Sequence, residues 1–456
     1  MNNFLLYALA FALLLGVLII VHEFGHYALA RLAGVKVLRF SLGFGRPLFL
    51  WRAGKDDTEW AIGAIPLGGY VQMLGEGDDA DEVPPDEAHR SFNRQSVWKR
   101  MAIVAAGPLA NLALAIVVYW GLFMYGMEEL RPVLGPPVAG SAAEQAGIRN
   151  GDRVLKAGGE AVETWADLRW ALLRRMVEQD SVELELVDER QKTGFRRLAL
   201  SEARNPEPGE DPVMRLGLRL FRPLIPAVLG KITPGSAAAA AGLRPGDVLA
   251  AIGNQPVASW YDVVRAVRES PGVPLLFKVQ RGGQTLSLEI TPAPAMSGGR
   301  EIGRIGASVA DAGGPDDLLI VVRHAPLPAL GKAAWEVWDK SLFSLRMVGK
   351  MLTGALSWKN ISGPVTIADY AGQSARLGLV HYLRFLALVS LSLAVFNLLP
   401  VPVLDGGHLL YYVAEIARGR PLSDRCLMIG QKIGLALILM LMVCALYNDF
   451  TRLIPG

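Results

Sequence analysis

The chain alternates between long apolar runs and mixed, turn-rich stretches, and this alternation predicts its organisation. Phe4 to Val21 is apolar and carries no charge. With its continuation to Ala30 it is long enough for a membrane helix, which needs about 20 residues. A second run covers Met101 to Tyr125, and a third covers Leu379 to Leu399 with His381 and Arg384 near its start. A fourth covers Ile433 to Leu446, which is short unless it begins near Cys426. No Lys or Arg precedes the first run and no small-residue cleavage site follows it, so it reads as a retained span, not a signal peptide.

Between the first two spans, Val35 to Leu50 and Trp60 to Leu74 are rich in β-branched, aromatic and glycine residues. They predict strands, with Pro66 and Gly68-Gly69 breaking the second into hairpin-like pieces. Phe44, Leu48, Phe49, Leu50, Trp51 and Trp60 are too apolar for a solvated loop. A β-sheet dipping into the membrane accounts for them, provided its backbone is paired or lines a cavity. A small cytoplasmic subdomain with no substrate role is the alternative. Glu76 to Glu87 is acidic and reads as a flexible loop.

The region between the second and third spans contains a gapless internal repeat. Val133-Leu134-Gly135 recurs as Val228-Leu229-Gly230, Gly140-Ser141 as Gly235-Ser236, Ala146-Gly147 as Ala241-Gly242 and Gly151-Asp152 as Gly246-Asp247. Val162 and Trp165 recur as Val257 and Trp260. Each copy continues into a helical pattern (Asp167 to Val177; Asp262 to Arg268) and alternating strands, predicting two tandem α+β modules. Trp335, Trp338, Leu342, Leu345 and Val348 then follow helical spacing within Ala329 to Trp358. This amphipathic helix belongs either on the outer membrane surface or against the modules.

The expected divisions are residues 1–30, 31–98, 99–125, 126–220, 221–310, 311–375, 376–408 and 426–449. Composition agrees with a membrane protein: 52% of residues are apolar and 20% charged. The formal net charge of +3 and the lack of a basic stripe argue against nucleic-acid binding. The two cysteines, Cys426 and Cys444, offer neither a disulfide framework nor a cysteine metal site. Arg31, Lys36, Arg39, Arg94, Lys99, Arg100, Arg418, Arg420, Arg425 and Lys432 flank the spans on one side. The positive-inside rule makes that side cytoplasmic and puts the modules outside, in the periplasm of a bacterium.

The candidate chemistry sits at the inner end of the first span, in His22-Glu23-Phe24-Gly25-His26. Residues four apart share a helix face, so both imidazoles can bind one zinc ion and Glu23 can act as a base on water. Ionisable groups in a membrane segment are costly and mark function. A third ligand is expected at the same depth. Asp405 is the first choice and His408 its competitor, in the run from Asn397 to His408 where Pro400 and Pro402 break the helix.

Two resemblances follow. The repeat, above all Gly235 to Val257, resembles bacterial PDZ domains, which implies peptide C-termini as ligands. A steric shield without a ligand is the other reading. HEFGH, Gly107-Pro108-Leu109-Ala110-Asn111 and the Asn397 to Gly406 run together resemble site-2 proteases, and the domain order resembles the regulator-of-sigma-E type. That resemblance implies a zinc protease of the bacterial inner membrane with His22, His26 and Asp405 on the metal and Glu23 as general base. It also implies Asn397 as a substrate-positioning group. Substrate is expected to pair, unwound, at the edge near Gly68, Gly69 and Tyr70. Asn111 is either site-adjacent or a helix–helix hydrogen bonder aided by Gly107 and Ala110. Implied substrates are single-span membrane proteins, first an anti-sigma factor already cut outside, then remnant signal peptides. A non-catalytic membrane scaffold with structural zinc is the competing class.

Overall fold

The structure, a computed structural model, describes residues 3–76, 83–188, 190–203, 211–221, 225–297, 300–310, 318–358 and 362–453. Four helices among them are long and apolar enough to cross a membrane: α1 (Asn3–Leu32), α2 (Val97–Tyr125), α10 (Leu379–Asn397) and α12 (Asp424–Leu453). The fourth is the longer of the two alternatives that its sequence allowed. Backbone groups in the interior of such helices bond along the helix, which lets them lie in lipid. The α1–α2–α10 bundle is close-packed. Leu14 and Leu18 of α1 are fully buried, as are Ala115 of α2 and Ala387 and Leu391 of α10. Gly25 lets α1 approach α2, because a Cβ there would collide with the Ala106 carbonyl and lie 2.8 Å from the Ala110 methyl.

Strands β1 (Val37–Ala53) and β2 (Thr58–Met73) form one antiparallel sheet against α1. The register folds each long strand into two working segments. Leu42 faces Gly69 on one side and Ile62 on the other, and Trp51 in turn faces Trp60. The segment from Ile65 to Met73 is therefore one sheet edge and the segment from Pro47 to Ala53 the other. β2 is not broken at Pro66 as its sequence suggested; the chain absorbs the proline through a register shift. Phe44, Leu48, Phe49 and Trp51 remain exposed on the sheet. Its hairpin end is tied back by ion pairs of Asp56 with Arg31 and Arg90. Of the expected flexible loop from Glu76 to Glu87, residues 77–82 lie outside the described part, while Glu87 is held by Lys36 at 2.6 Å.

β3 (Met127–Leu130) leads into the first module: α3 (Ala142–Gln145), β4 (Arg153–Ala157), β5 (Glu160–Ala161), α4 (Trp165–Met176), β6 (Ser181–Val187), β7 (Thr193–Ala199) and α5 (Pro212–Arg215). The second follows as β8 (Leu229–Ile232), α6 (Ala237–Ala240), β9 (Val248–Ile252), β10 (Gln255–Pro256), α7 (Trp260–Arg268), β11 (Leu275–Arg281) and β12 (Gln284–Ile290). The sheets have matching orders, β5-β4-β6-β7 and β10-β9-β11-β12. Capping boxes start both main helices, Thr164 with Asp167 and Ser259 with Asp262. Leu168, Leu172 and Leu184 fill the first core; Phe277, Val279 and Val263 fill the second. The hairpin β13 (Ala293–Ser297) and β14 (Arg300–Arg304) and strand β15 (Ala307–Val309) complete the second module, β15 pairing with β8.

In the second module Asp247, almost fully buried, accepts two 2.7 Å bonds from Arg281 and a 2.8 Å bond from the Arg244 amide. The Arg281 guanidinium holds the Asp247 carboxyl below its usual range. A depressed carboxylate contributes stability above its unfolded value near 4, and that stability is lost as pH falls through the folded value. Asp247→Asn is expected to lower the module's melting midpoint at pH 7 by roughly 5 °C. It should also flatten the acid-side loss of stability below pH 4, as followed by melting across pH.

The segment expected at 311–375 is not one amphipathic stretch. β16 (Leu319–Val322) pairs with β3, α8 (Pro326–Leu352) follows, and α9 (Pro364–Leu377) is a separate helix. α8 packs on α2 through Ala329, Ala333 and Val337, ending at Leu352, not Trp358. It also meets the first module, because Asp339 accepts 2.7 Å bonds from Trp170 Nε1 and Arg174 Nη1. The first turn of α9 is held by Asp449 of α12, a buried carboxylate that accepts from the amides of Gly363, Val365 and Thr366. α11 (Asp405–Arg418) follows the third span and ends at Arg418, the first of the basic residues that lie between the third and fourth apolar runs.

Candidate metal centre

His22 lies 19 residues into α1, about 29 Å along the axis at 1.5 Å per residue. That is close to the hydrocarbon thickness of a bilayer, about 30 Å. One turn separates His22 from His26, and both rings face α2 and α11. The chain reaches α11 through a sharp return after α10. Val401 N bonds to Leu399 O, and Leu404 N bonds to Val401 O. Val403 sits at φ 88°, a strained conformation for a β-branched residue. Gly406 and Gly407 let the carbonyls of Leu398, Leu399 and Val401 close over the start of α11.

This return places Asp405 at the first position of α11, where the helix dipole favours a carboxylate. His22 Nε2 is 3.1 Å from Asp405 Oδ2, and His26 Nε2 is 3.6 Å from Asp405 Oδ1. The two Nε2 atoms are 3.3 Å apart. One ligand atom from each residue lies within 4.8 Å of the others. Oδ2 is buried and, among the described residues, receives no well-directed hydrogen bond despite these neighbours. Three converging lone-pair donors, one of them an orphaned carboxylate oxygen, fit a divalent cation, and two imidazoles with one carboxylate suit zinc. His408, the competitor, lies one turn on and sets its ring edge-on against Tyr411, 6.1 Å away.

α2 shapes the site with three residues at four-residue intervals. The Ile103 carbonyl accepts from His26 Nδ1 at 2.9 Å, which turns Nε2 toward the cluster. Gly107 leaves room for the His26 ring; a Cβ there would strike Nε2. Asn111, fully buried, has its side-chain amide 3.4 Å from His22 Nδ1. The role of Gly107 and of a backbone carbonyl was missed from sequence, although Ile103, Gly107 and Asn111 form one helical stripe.

Glu23, also buried, lies on α1 between the histidines. It sits against the sheet edge: a Cβ on Gly69 would come within 2.9 Å of Glu23 Cγ and Ile19 Cγ2. Gly69 and Tyr70 pair with Leu42 and Ser41 on one side only among the described residues. Gly68 adopts φ 98° under the Phe44 ring, and Phe44 stacks with Tyr70 at 6.0 Å. Asn397 is the last residue of α10 and is half-buried at the return.

A histidine pair, a carboxylate from a distant helix and a second carboxylate beside a sheet edge meet here, and comparison with known proteins gives the chain's family. The model of peptidase family M50 matches residues 10–441. The Escherichia coli regulator of sigma-E protease RseP is 40% identical over 459 residues, covering 99% of this chain and all of the relative. The Salmonella typhi regulator of sigma E protease is 40% identical over 447 residues, 97% of this chain and 98% of that one. A Ralstonia nicotianae protein named as a candidate zinc metalloprotease is 43% identical over 466 residues, 98% of this chain and 99% of its own. The match runs through both membrane halves and the modules between them, and on it the chain belongs to peptidase family M50.

Proposed function

We propose that the chain is a zinc endopeptidase that cuts single-span proteins within the bacterial inner membrane. The observation that carries this reading is the meeting of His22, His26 and Asp405 among apolar helices, beside Glu23 and an open sheet edge. In this reading His22, His26 and Asp405 hold zinc, which when bound supplies Lewis-acid activation of a water and of the scissile carbonyl. Glu23 takes the proton of the attacking water and returns it to the leaving amine. The edge at Gly68, Gly69 and Tyr70 pairs with the substrate backbone, which must leave its helix because helical hydrogen bonds hide the scissile carbonyl. Asn397, at the mouth of the return, contacts the same extended segment. The apolar exposed sheet dips into the lipid.

The two α+β modules are PDZ domains in the periplasm. Their matching sheets and capped helices support that reading, as does the Gly-Asp turn shared by both. They exclude intact substrates or capture a new C-terminus after a first periplasmic cut. The names of the relatives support an anti-sigma factor as substrate. A closed structural zinc site would need a fourth ligand, and among the described residues only three converge.

Purified protein is expected to cleave a synthetic single-span peptide, to lose activity to a chelator and to regain it with added zinc. Deleting residues 131–310, which keeps β3 paired with β16, should leave cleavage of a pre-shortened substrate intact and admit the full-length one. Cleavage insensitive to chelation would exclude the metalloprotease reading; continued refusal of uncut substrate would exclude the filter.

A further inference from the structure

The side chain of Asn111 is a fully buried amide inside the helix bundle, and its Oδ1 has no hydrogen-bond partner among the described residues. Its Nδ2 faces His22 Nδ1 at 3.4 Å. The two ends of an amide are interchangeable in placement and are assigned from the chemistry around them. Resting on the zinc reading above, that chemistry is decisive. His22 can offer Nε2 to a metal only if its ring proton is on Nδ1, and a proton on Nδ1 requires an acceptor. The amide oxygen is an acceptor within reach, and turning the amide removes the orphaned oxygen.

The same helix already does this for the other histidine. Ile103 O accepts from His26 Nδ1 at 2.9 Å, and two turns along α2 Asn111 stands opposite His22. Gly107 lies midway, open to the His26 ring. The Asn111 backbone is fixed in turn, because Ser390 Oγ of α10 donates to its carbonyl at 2.8 Å. We infer that Asn111 is a positioning residue that accepts from His22 Nδ1–H and so fixes the ring tautomer and orientation in which His22 binds zinc. α2 thus presents two acceptors, one backbone and one side chain, to the two histidines.

The test is zinc release from full-length protein into a chelating dye, with melting of the metal-free protein measured alongside. Asn111→Ala should release zinc about 10- to 100-fold faster, the range for loss of an outer-shell partner. Asn111→Asp keeps an acceptor and should restore slow release, while its metal-free form melts no higher than that of Asn111→Ala. Parent-like release by Asn111→Ala, or equally fast release by both variants, would overturn the inference. The underlying zinc reading fails separately: it falls if the parent binds no zinc, or if Asp405→Ala binds as much as the parent.

Discussion

Glu23→Gln is expected to lose cleavage by about 10²- to 10⁴-fold while keeping its full complement of zinc. The substitution is isosteric, so the packing of α1 against the sheet edge at Gly69 survives. Glu23 is not among the converging ligand atoms, so the metal does not depend on it. On the proposed mechanism, what it loses is the ability to carry a proton between water and the leaving amine. Normal turnover by purified Glu23→Gln, with zinc bound, would remove Glu23 from the mechanism. Lost cleavage together with lost zinc would make it a ligand.

Asp405→Ala has the second large effect. Its carboxylate links α11 to the two histidines of α1, at 3.1 and 3.6 Å. Without it two imidazoles remain, too few for a stable zinc site. Zinc affinity should fall by more than about 100-fold, beyond the loss typical of outer-shell changes, and cleavage should fall with it. His408→Ala should keep zinc, because that ring packs against Tyr411 and does not join the cluster. Metal analysis of both variants decides between the two candidates. Zinc retained by Asp405→Ala and lost by His408→Ala would reverse the assignment.

The local parts of this molecule were readable in its sequence. HEFGH carries its meaning in five residues, because helical spacing alone brings the rings together. The long spans follow from uninterrupted apolar runs, and the duplicated modules from a gapless repeat. Asp405 was reachable because topology brings the end of the third span back to the depth of His22. Most other contacts between distant segments were not readable. Gly107 looked like a small residue for helix packing, and its function depends on where the His26 ring lands. Ile103 contributes a backbone carbonyl, which no side chain announces. α9 was hidden because its first turn is secured by Asp449, more than 80 residues away. α11 was hidden behind the helix break at Pro400 and Pro402: Gly406 and Gly407 let the preceding carbonyls pack closely, so a new helix starts at Asp405. Pro66 read as a break because proline cannot donate to a ladder, whereas a register shift accommodates it.

The central claim is that peptide hydrolysis takes place inside the membrane, at the depth of His22 and His26. The most direct measurement is the mass of both fragments released from a single-span substrate by the purified protein in lipid, which locates the cut bond. A cut inside the apolar segment, toward its cytoplasmic half and absent with Glu23→Gln, is the predicted result. A cut confined to the soluble flanks of the segment would contradict the account.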